Sequence, residues 1–243
     1  MIISISELIA KSWEDYLENW HNWMIYSFFA FLSPFVLLVS GSFGVYLNIY
    51  FSSSVFLVNI ILILLIIFSS IFGLWTYLAL IHSSQKFLRN KKTGHWKEHF
   101  SATIPMLWPA FYTSFFIIIS MLFGIIMFLI PAFIFAVWFY FSIFSLVDGG
   151  SEGASAMMSS KNLSASRWWS VAIRIFVSWS FFVFIGTIFQ AVILSAVGMV
   201  GLQFFVSQIV SNILVSATNA LITPVLVLCG LNLYNSLKEN PSK

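Results

Sequence analysis

Apolar residues along this chain come in runs too long for the core of a soluble domain, and the polar stretches between pairs of runs alternate apolar and charged positions at helical spacing. Runs at 24–46, 55–81, 104–128, 131–147, 171–197 and 204–234 reach or approach the roughly 20 residues that an α-helix needs to cross a bilayer. The 55–81 run contains no charged residue. Pro34 falls inside the first run, where neighbouring helices can satisfy the carbonyl it frees. Pro131 opens the fourth and shortest run and marks the tight turn before it. The pattern predicts an all-α polytopic membrane protein: six transmembrane helices as three hairpins, each preceded by a cytoplasmic amphipathic segment, in one membrane domain over 1–243.

Three polar segments precede the hairpins. In the first, Ser4 and Glu7 have the spacing of a capping box, which predicts a helix start. From there Ile5, Leu8, Ile9, Trp13, Tyr16, Leu17 and Trp20 form one face, with Glu7, Lys11, Glu14, Asp15 and Glu18 on the other, so the segment is expected to lie in the membrane interface or pack on the bundle, and not to span. The second, 82–108, carries Lys86, Arg89, Lys91, Lys92 and Lys97; the third, 148–169, carries Lys161 and Arg167 and ends in Trp168-Trp169. Trp23, Trp108 and Trp169 stand at comparable points, a weak internal repeat in composition rather than in residue identity.

Composition sharpens this picture. The chain is 60% hydrophobic, 19% aromatic and 8% charged, against roughly 25% charged in a soluble domain. All 11 Lys and Arg residues fall in the N-terminal segment, the two polar loops with the start of the fifth run, and the C-terminal tail, which six spans place on one side. The positive-inside rule makes that side the cytoplasm, with both termini there. The 8 acidic residues lie there too. A net charge of +3 serves orientation and anionic headgroups here and does not point to nucleic acid. The acidic N-terminal twenty residues do not read as a secretory signal, and the single Cys229 forms no internal disulfide.

Ile130-Pro131-Ala132 opening a span, Val147-Asp148-Gly149-Gly150 closing it, the run Ala154 to Lys161, and Arg167-Trp168-Trp169 together form a pattern. It resembles the six-helix bacterial membrane proteins grouped with the membrane domain of glycerophosphoryl diester phosphodiesterases and their uncharacterised relatives. The N-terminal amphipathic helix and the closing Leu233-Tyr234-Asn235-Ser236-Leu237-Lys238 are similar too, so the resemblance covers nearly the whole chain. It implies an architecture and a bacterial cytoplasmic-membrane location without implying a substrate, and the chain has no room for the soluble catalytic domain.

Three constellations carry candidate chemistry. His95-Trp96-Lys97-Glu98-His99 matches an inverted zinc-protease motif, but a third ligand is wanting, and the expectation is a polar interfacial helix with no metal and no cofactor. Lys86, Arg89, Lys91, Lys92 and Lys97, with Arg174, can hold anionic lipid headgroups, each charge contributing on the order of 1 kcal/mol, or can serve topology alone. Gln208, Asn212, Ser216, Asn219 and Thr223 share one helical face, with Gln190 on the fifth run as companion; they form interhelical hydrogen bonds or line a polar path. No Asp, Glu, Lys or His lies deep in a span, which argues against proton-coupled transport, and no Gly-rich phosphate loop points to ATP. The expected function is a non-enzymatic membrane protein interacting with membrane lipids or partner membrane proteins. The alternative is a passive channel or carrier for a small solute.

Overall fold

A computed structural model of the chain describes residues 2–50, 55–91, 93–127, 129–149, 151–199 and 204–240. In chain order the helices are α1 (Ile5–Glu18), α2 (Trp20–Tyr50), α3 (Val55–Asn90), α4 (Trp96–Thr103), α5 (Leu107–Ile126), α6 (Leu129–Phe139), α7 (Ser142–Gly149), α8 (Gly153–Ser164), α9 (Trp168–Met199) and α10 (Phe204–Glu239). Short 3-10 turns, Ile104–Met106 and Ala165–Arg167, lead into α5 and α9. The described residues contain 6 helical stretches long and apolar enough to cross a membrane, and the protein is an all-α polytopic membrane protein.

The hairpins form as pairs: α2 packs on α3, α5 on α6, and α9 on α10. The helix at the centre is α10, which also meets α1, α2, α3 and α8. Its second half is the most buried part of the chain, from Val225 through Leu228, Leu231 and Leu233 to Leu237. Gly230 lets α7 come in against it, since a Cβ there would stand 2.8 Å from the Phe144 ring. Burial gathers at the end of the bundle that holds both termini, where Leu78–Ile81, Phe141 and Phe144 join the same core. Towards the other end, Leu57, Ile61, Leu64, Phe68, Ile118, Leu122 and Ile126 are exposed. In lipid such side chains gain little by touching one another, so close packing and hydrogen bonds must do the joining. Ser33 and Ser69 supply one such link between α2 and α3: each hydroxyl donates to the other residue's carbonyl, at 2.9 and 2.7 Å.

Two expectations are corrected. The 131–147 run, expected as one helix, is broken into α6 and α7 at Tyr140–Phe141. The cause is Ser160 of α8, whose hydroxyl donates to the Trp138 carbonyl at 2.5 Å and accepts from the Phe141 N–H at 3.0 Å. A side chain thus takes the backbone groups that the helix gives up, the condition for broken helices at membrane depth. Ser160 belongs to a small-residue face of α8, with Gly153, Ala156 and Ser164, that is buried against α5, α6 and α7.

The second correction concerns α1. Its start is as expected, with Ser4 Oγ accepting from the Glu7 N–H at 3.2 Å. Its buried strip, however, is Leu8, Ser12 and Asp15, whereas Trp13, Leu17 and Trp20 are exposed. The apolar face of this helix is divided: Leu8 is fully buried, Ile9 and Tyr16 pack on the core and Trp13 stacks on Phe182 of α9 at 6.4 Å, while Leu17 and Trp20 stay exposed. Asp15, placed on the solvent face by helical spacing, turns inward to polar partners on α3 and α10.

A candidate polar site at the charged end of the bundle

The last turns of α3 form the hub of the charged end. Within them Lys86, Arg89 and the following Lys91 each take a carboxylate on a different element. Lys86 pairs with Glu98 of α4 at 3.7 Å. Arg89 Nη2 donates to Asp148 Oδ1 at the end of α7. Lys91 Nζ donates to Asp15 Oδ1 and Glu18 Oε2 of α1, both at 2.8 Å. The basic run therefore ties α1, α4 and α7 to α3.

Asp15 and Asp148 are the deep members of this network, their side chains 3% and 4% exposed. Burying a carboxylate is costly unless its oxygens are hydrogen-bonded and its charge met. Asp15 Oδ2 accepts from the Asn232 amide of α10 at 3.0 Å, and that amide also reaches Ser12 Oγ at 3.3 Å. Asp148 Oδ2 accepts from Lys238 Nζ at 2.6 Å and from the Tyr234 hydroxyl at 3.1 Å. Each carboxylate thus joins a cation from α3 to a polar group on α10. Burial alone would push the Lys91 ammonium down from 10.5; the hydrogen bonds and charges of Asp15 and Glu18 outweigh this and raise it. Lys91 also sits in the left-handed region at φ 53, closing α3 with its N–H on the Phe87 carbonyl at 2.7 Å.

Two polar cavities flank the end of α10. One of about 520 Å³ lies beside Asp148, its wall including Ser151, Ser159, Asn162, Arg167 and Lys238. The other, of about 500 Å³, lies beside Asp15 and takes in Lys11, Lys91 and Glu239. The C-terminal end of the chain borders both, and the N-terminal segment borders the second. Arg174 Nε donates to the Ile3 carbonyl at 2.7 Å, the Ile3 N–H donates to Ser236 Oγ at 3.0 Å, and Arg167 Nη1 donates to the Asn240 carbonyl at 3.0 Å.

The expected headgroup ligands are thus brought together at one end, but in different company. Lys86, Arg89 and Lys91 have carboxylate partners, Arg174 holds the N-terminal segment and Ser170, and Lys97 lies over the Trp96 ring at 5.5 Å. Lys92 lies outside the described residues.

The histidines of the H-x-x-E-H match do not converge. His95 caps α4, accepting from the Lys97 N–H at 3.3 Å, while His99 is buried with its Nδ1 2.9 Å from Nδ1 of His82. One of those two nitrogens carries the proton and the other accepts it.

Along the expected polar face, Gln190 Nε2 donates to Asn219 Oδ1 at 2.9 Å across α9 and α10. Thr223 turns back to the Asn219 carbonyl at 2.9 Å. These three, with Thr187 and Trp179, border a cavity of about 320 Å³. Gln208 and Asn212 are exposed and Ser216 half-buried further along α10, outside that cavity.

Sequence reasoning met Asp15 as part of a helix face and Asp148, Tyr234 and Ser160 as parts of a pattern, gave none of them a site role, and did not name Asn232. The available signal was position: Asp148 directly abuts an apolar run, and Asn232 and Tyr234 interrupt the end of another. Comparison with protein-family models, with curated proteins and with solved structures finds no match to the chain.

Proposed function

We propose that this protein is a non-enzymatic component of a bacterial cytoplasmic membrane, with its charged end in the cytoplasm, where it binds anionic lipid headgroups and docks partner membrane proteins. The observation that carries the reading is the gathering of the described Lys and Arg residues at the one end where both termini, α1, α4 and α8 meet. Over the whole chain 11 basic residues face 8 acidic ones, so that end keeps a surplus of positive charge after its internal pairs are made. Such a surplus beside a membrane is attracted to anionic lipid by about 1 kcal/mol per charge and faces the cytoplasm under the positive-inside rule.

The test joins topology to lipid analysis. Cys229 is buried in α10, so single cysteines placed at Lys97 or Glu239 report their own compartment. Labelling from the cytoplasmic side only, with anionic lipid enriched in gently extracted protein, is the expected result. Labelling from outside overturns the orientation, and lipid matching the bulk membrane overturns the headgroup role.

A second reading, a passive carrier for a small solute, is motivated by the cavity of about 320 Å³ beside Gln190 and Asn219. Solute flux in liposomes that Asn219→Leu abolishes would favour it.

A further inference from the structure

The cavity beside Asp148 is equipped for more than joining helices. Both oxygens of Asp148 are engaged, Oδ1 by Arg89 and Oδ2 by Lys238 and Tyr234. The carboxylate is 4% exposed, whereas the Arg89 and Lys238 side chains are 62% and 59% exposed. Asp148 therefore works from below, as an anchor. It fixes one cationic head, Lys238, in the wall, with Arg89 behind it outside the lining, and leaves outward N–H groups on Lys238 for something else, because an ammonium has three donors. Arg167 is held by a different tie, its Nη1 on the Asn240 carbonyl. Arg167 and Lys238 against the one buried carboxylate leave the cavity wall an excess of one positive charge.

The remaining wall offers hydroxyl and amide groups from Ser151, Ser159 and Asn162. Arg167 and Lys238 approach from different elements, the turn before α9 and the end of α10. A flat carboxylate is satisfied by one guanidinium fork, while a phosphoryl group carries acceptor oxygens in several directions and suits donors spread around a cavity. A volume of about 520 Å³ lies within the range of small-molecule sites. Depth agrees as well: Trp168 and Trp169 follow Arg167 directly, Trp169 is exposed, and Trp side chains favour the headgroup layer.

We propose that this cavity is a phosphoryl-binding site. It takes the phosphate of an anionic lipid headgroup, or a free phosphate species, between Arg167 and Lys238, with Asp148 and Arg89 as positioning residues. The inference rests on the headgroup-binding reading above and narrows it to one site.

The experiment uses the full chain in a phosphate-free maltoside detergent. Phosphatidylglycerol is titrated in one arm and inorganic phosphate in the other, read by thermal shift and native mass spectrometry. Expected is a one-to-one lipid adduct that raises the melting midpoint, with affinity weakened about tenfold by Arg167→Gln and again by Lys238→Gln, the scale of one charge-assisted hydrogen bond. Ser159→Phe, which fills the cavity without changing charge, should weaken binding too. Lys11→Gln with Lys97→Gln lowers the charge of the same end away from the cavity and should weaken binding clearly less than Arg167→Gln alone. Inorganic phosphate giving the same variant dependence in place of lipid keeps the site and assigns it a soluble occupant. Equal weakening by the Lys11/Lys97 pair overturns the site while leaving general headgroup attraction standing. Absence of binding in both arms overturns the site and the headgroup reading together.

Discussion

Replacing Lys91 separates two contributions that the structure superimposes at one residue. The ammonium neutralises Asp15, which is 3% exposed, at 2.8 Å. Lys91→Met leaves that carboxylate with the Asn232 amide at 3.0 Å and no countercharge from this side. Stripping one partner from a fully buried pair costs about 3–5 kcal/mol, and an exposed pair is worth at most about 1 kcal/mol. The Lys91 side chain is 55% exposed, so water takes over part of its role and the expected loss is about 2 kcal/mol. The same residue holds φ at 53°, a conformation that costs an L-residue other than glycine about 1–2 kcal/mol. Lys91→Gly loses the pair but relieves the backbone, so it should be more stable than Lys91→Met by about 1 kcal/mol. Asp15→Asn combined with Lys91→Met removes the uncompensated charge and should recover much of the loss.

The assay is the unfolding midpoint of each variant in a mild detergent, with about 2–4 °C per kcal/mol as the scale for a chain of this size. The order expected is parent, then Lys91→Gly, then Lys91→Met, with the double variant above Lys91→Met. A neutral Lys91→Met, or a double variant no better than it, refutes the buried-pair account; equal midpoints for glycine and methionine refute the backbone account. The pH dependence has a definite sign. The Lys91 ammonium is raised in the folded state, so its contribution is complete below 10.5 and is lost as pH climbs through the higher folded value. The gap between parent and Lys91→Met should therefore be constant near neutrality and narrow only in strong alkali.

Ser160→Ala removes the hydroxyl that serves both the Trp138 carbonyl and the Phe141 N–H; two backbone groups left unpaired should cost about 2–4 kcal/mol, read as a lowered midpoint that Ser160→Thr partly restores. Gly153→Ala meets φ +53° and a Cβ position 2.8 Å from the Tyr112 ring, which Glu152 tethers through the phenol; a loss of about 2 kcal/mol is expected, and an unchanged midpoint would contradict that geometry. The Gln190–Asn219 bond should show a coupling of about 0.6 kcal/mol in a double-mutant cycle with leucine at each position, the size usual for interhelical bonds in lipid. Chelator should leave the midpoint unmoved, because His95 caps α4 while His99 faces His82.

The large features of this fold were legible because they follow from local chemistry. An uncharged run of length sufficient to span needs no knowledge of its neighbours, and the pairing of consecutive runs into hairpins follows from short connections. What sequence could not supply was direction. Helical spacing puts Asp15 among Glu14, Glu18 and Lys11, and nothing local reveals that it turns inward; that depends on Asn232 and Lys91, distant in sequence and brought beside it by α10 and α3. The amphipathic pattern of α1 was correct, but in a membrane an apolar face has two acceptable destinations, the bundle and the lipid. The break at Tyr140–Phe141 was hidden for a related reason: its cause is a serine on another helix, and the residues at the break are apolar. The basic run was visible as charge and its partners were not, since pairing Arg89 with Asp148 requires α7 to end where α3 ends. Ion pairs at this end thus turn a topological signal into a structural one. The basic residues of this end lock α1, α4, α7 and α10 around α3, and a substitution there should disturb that packing.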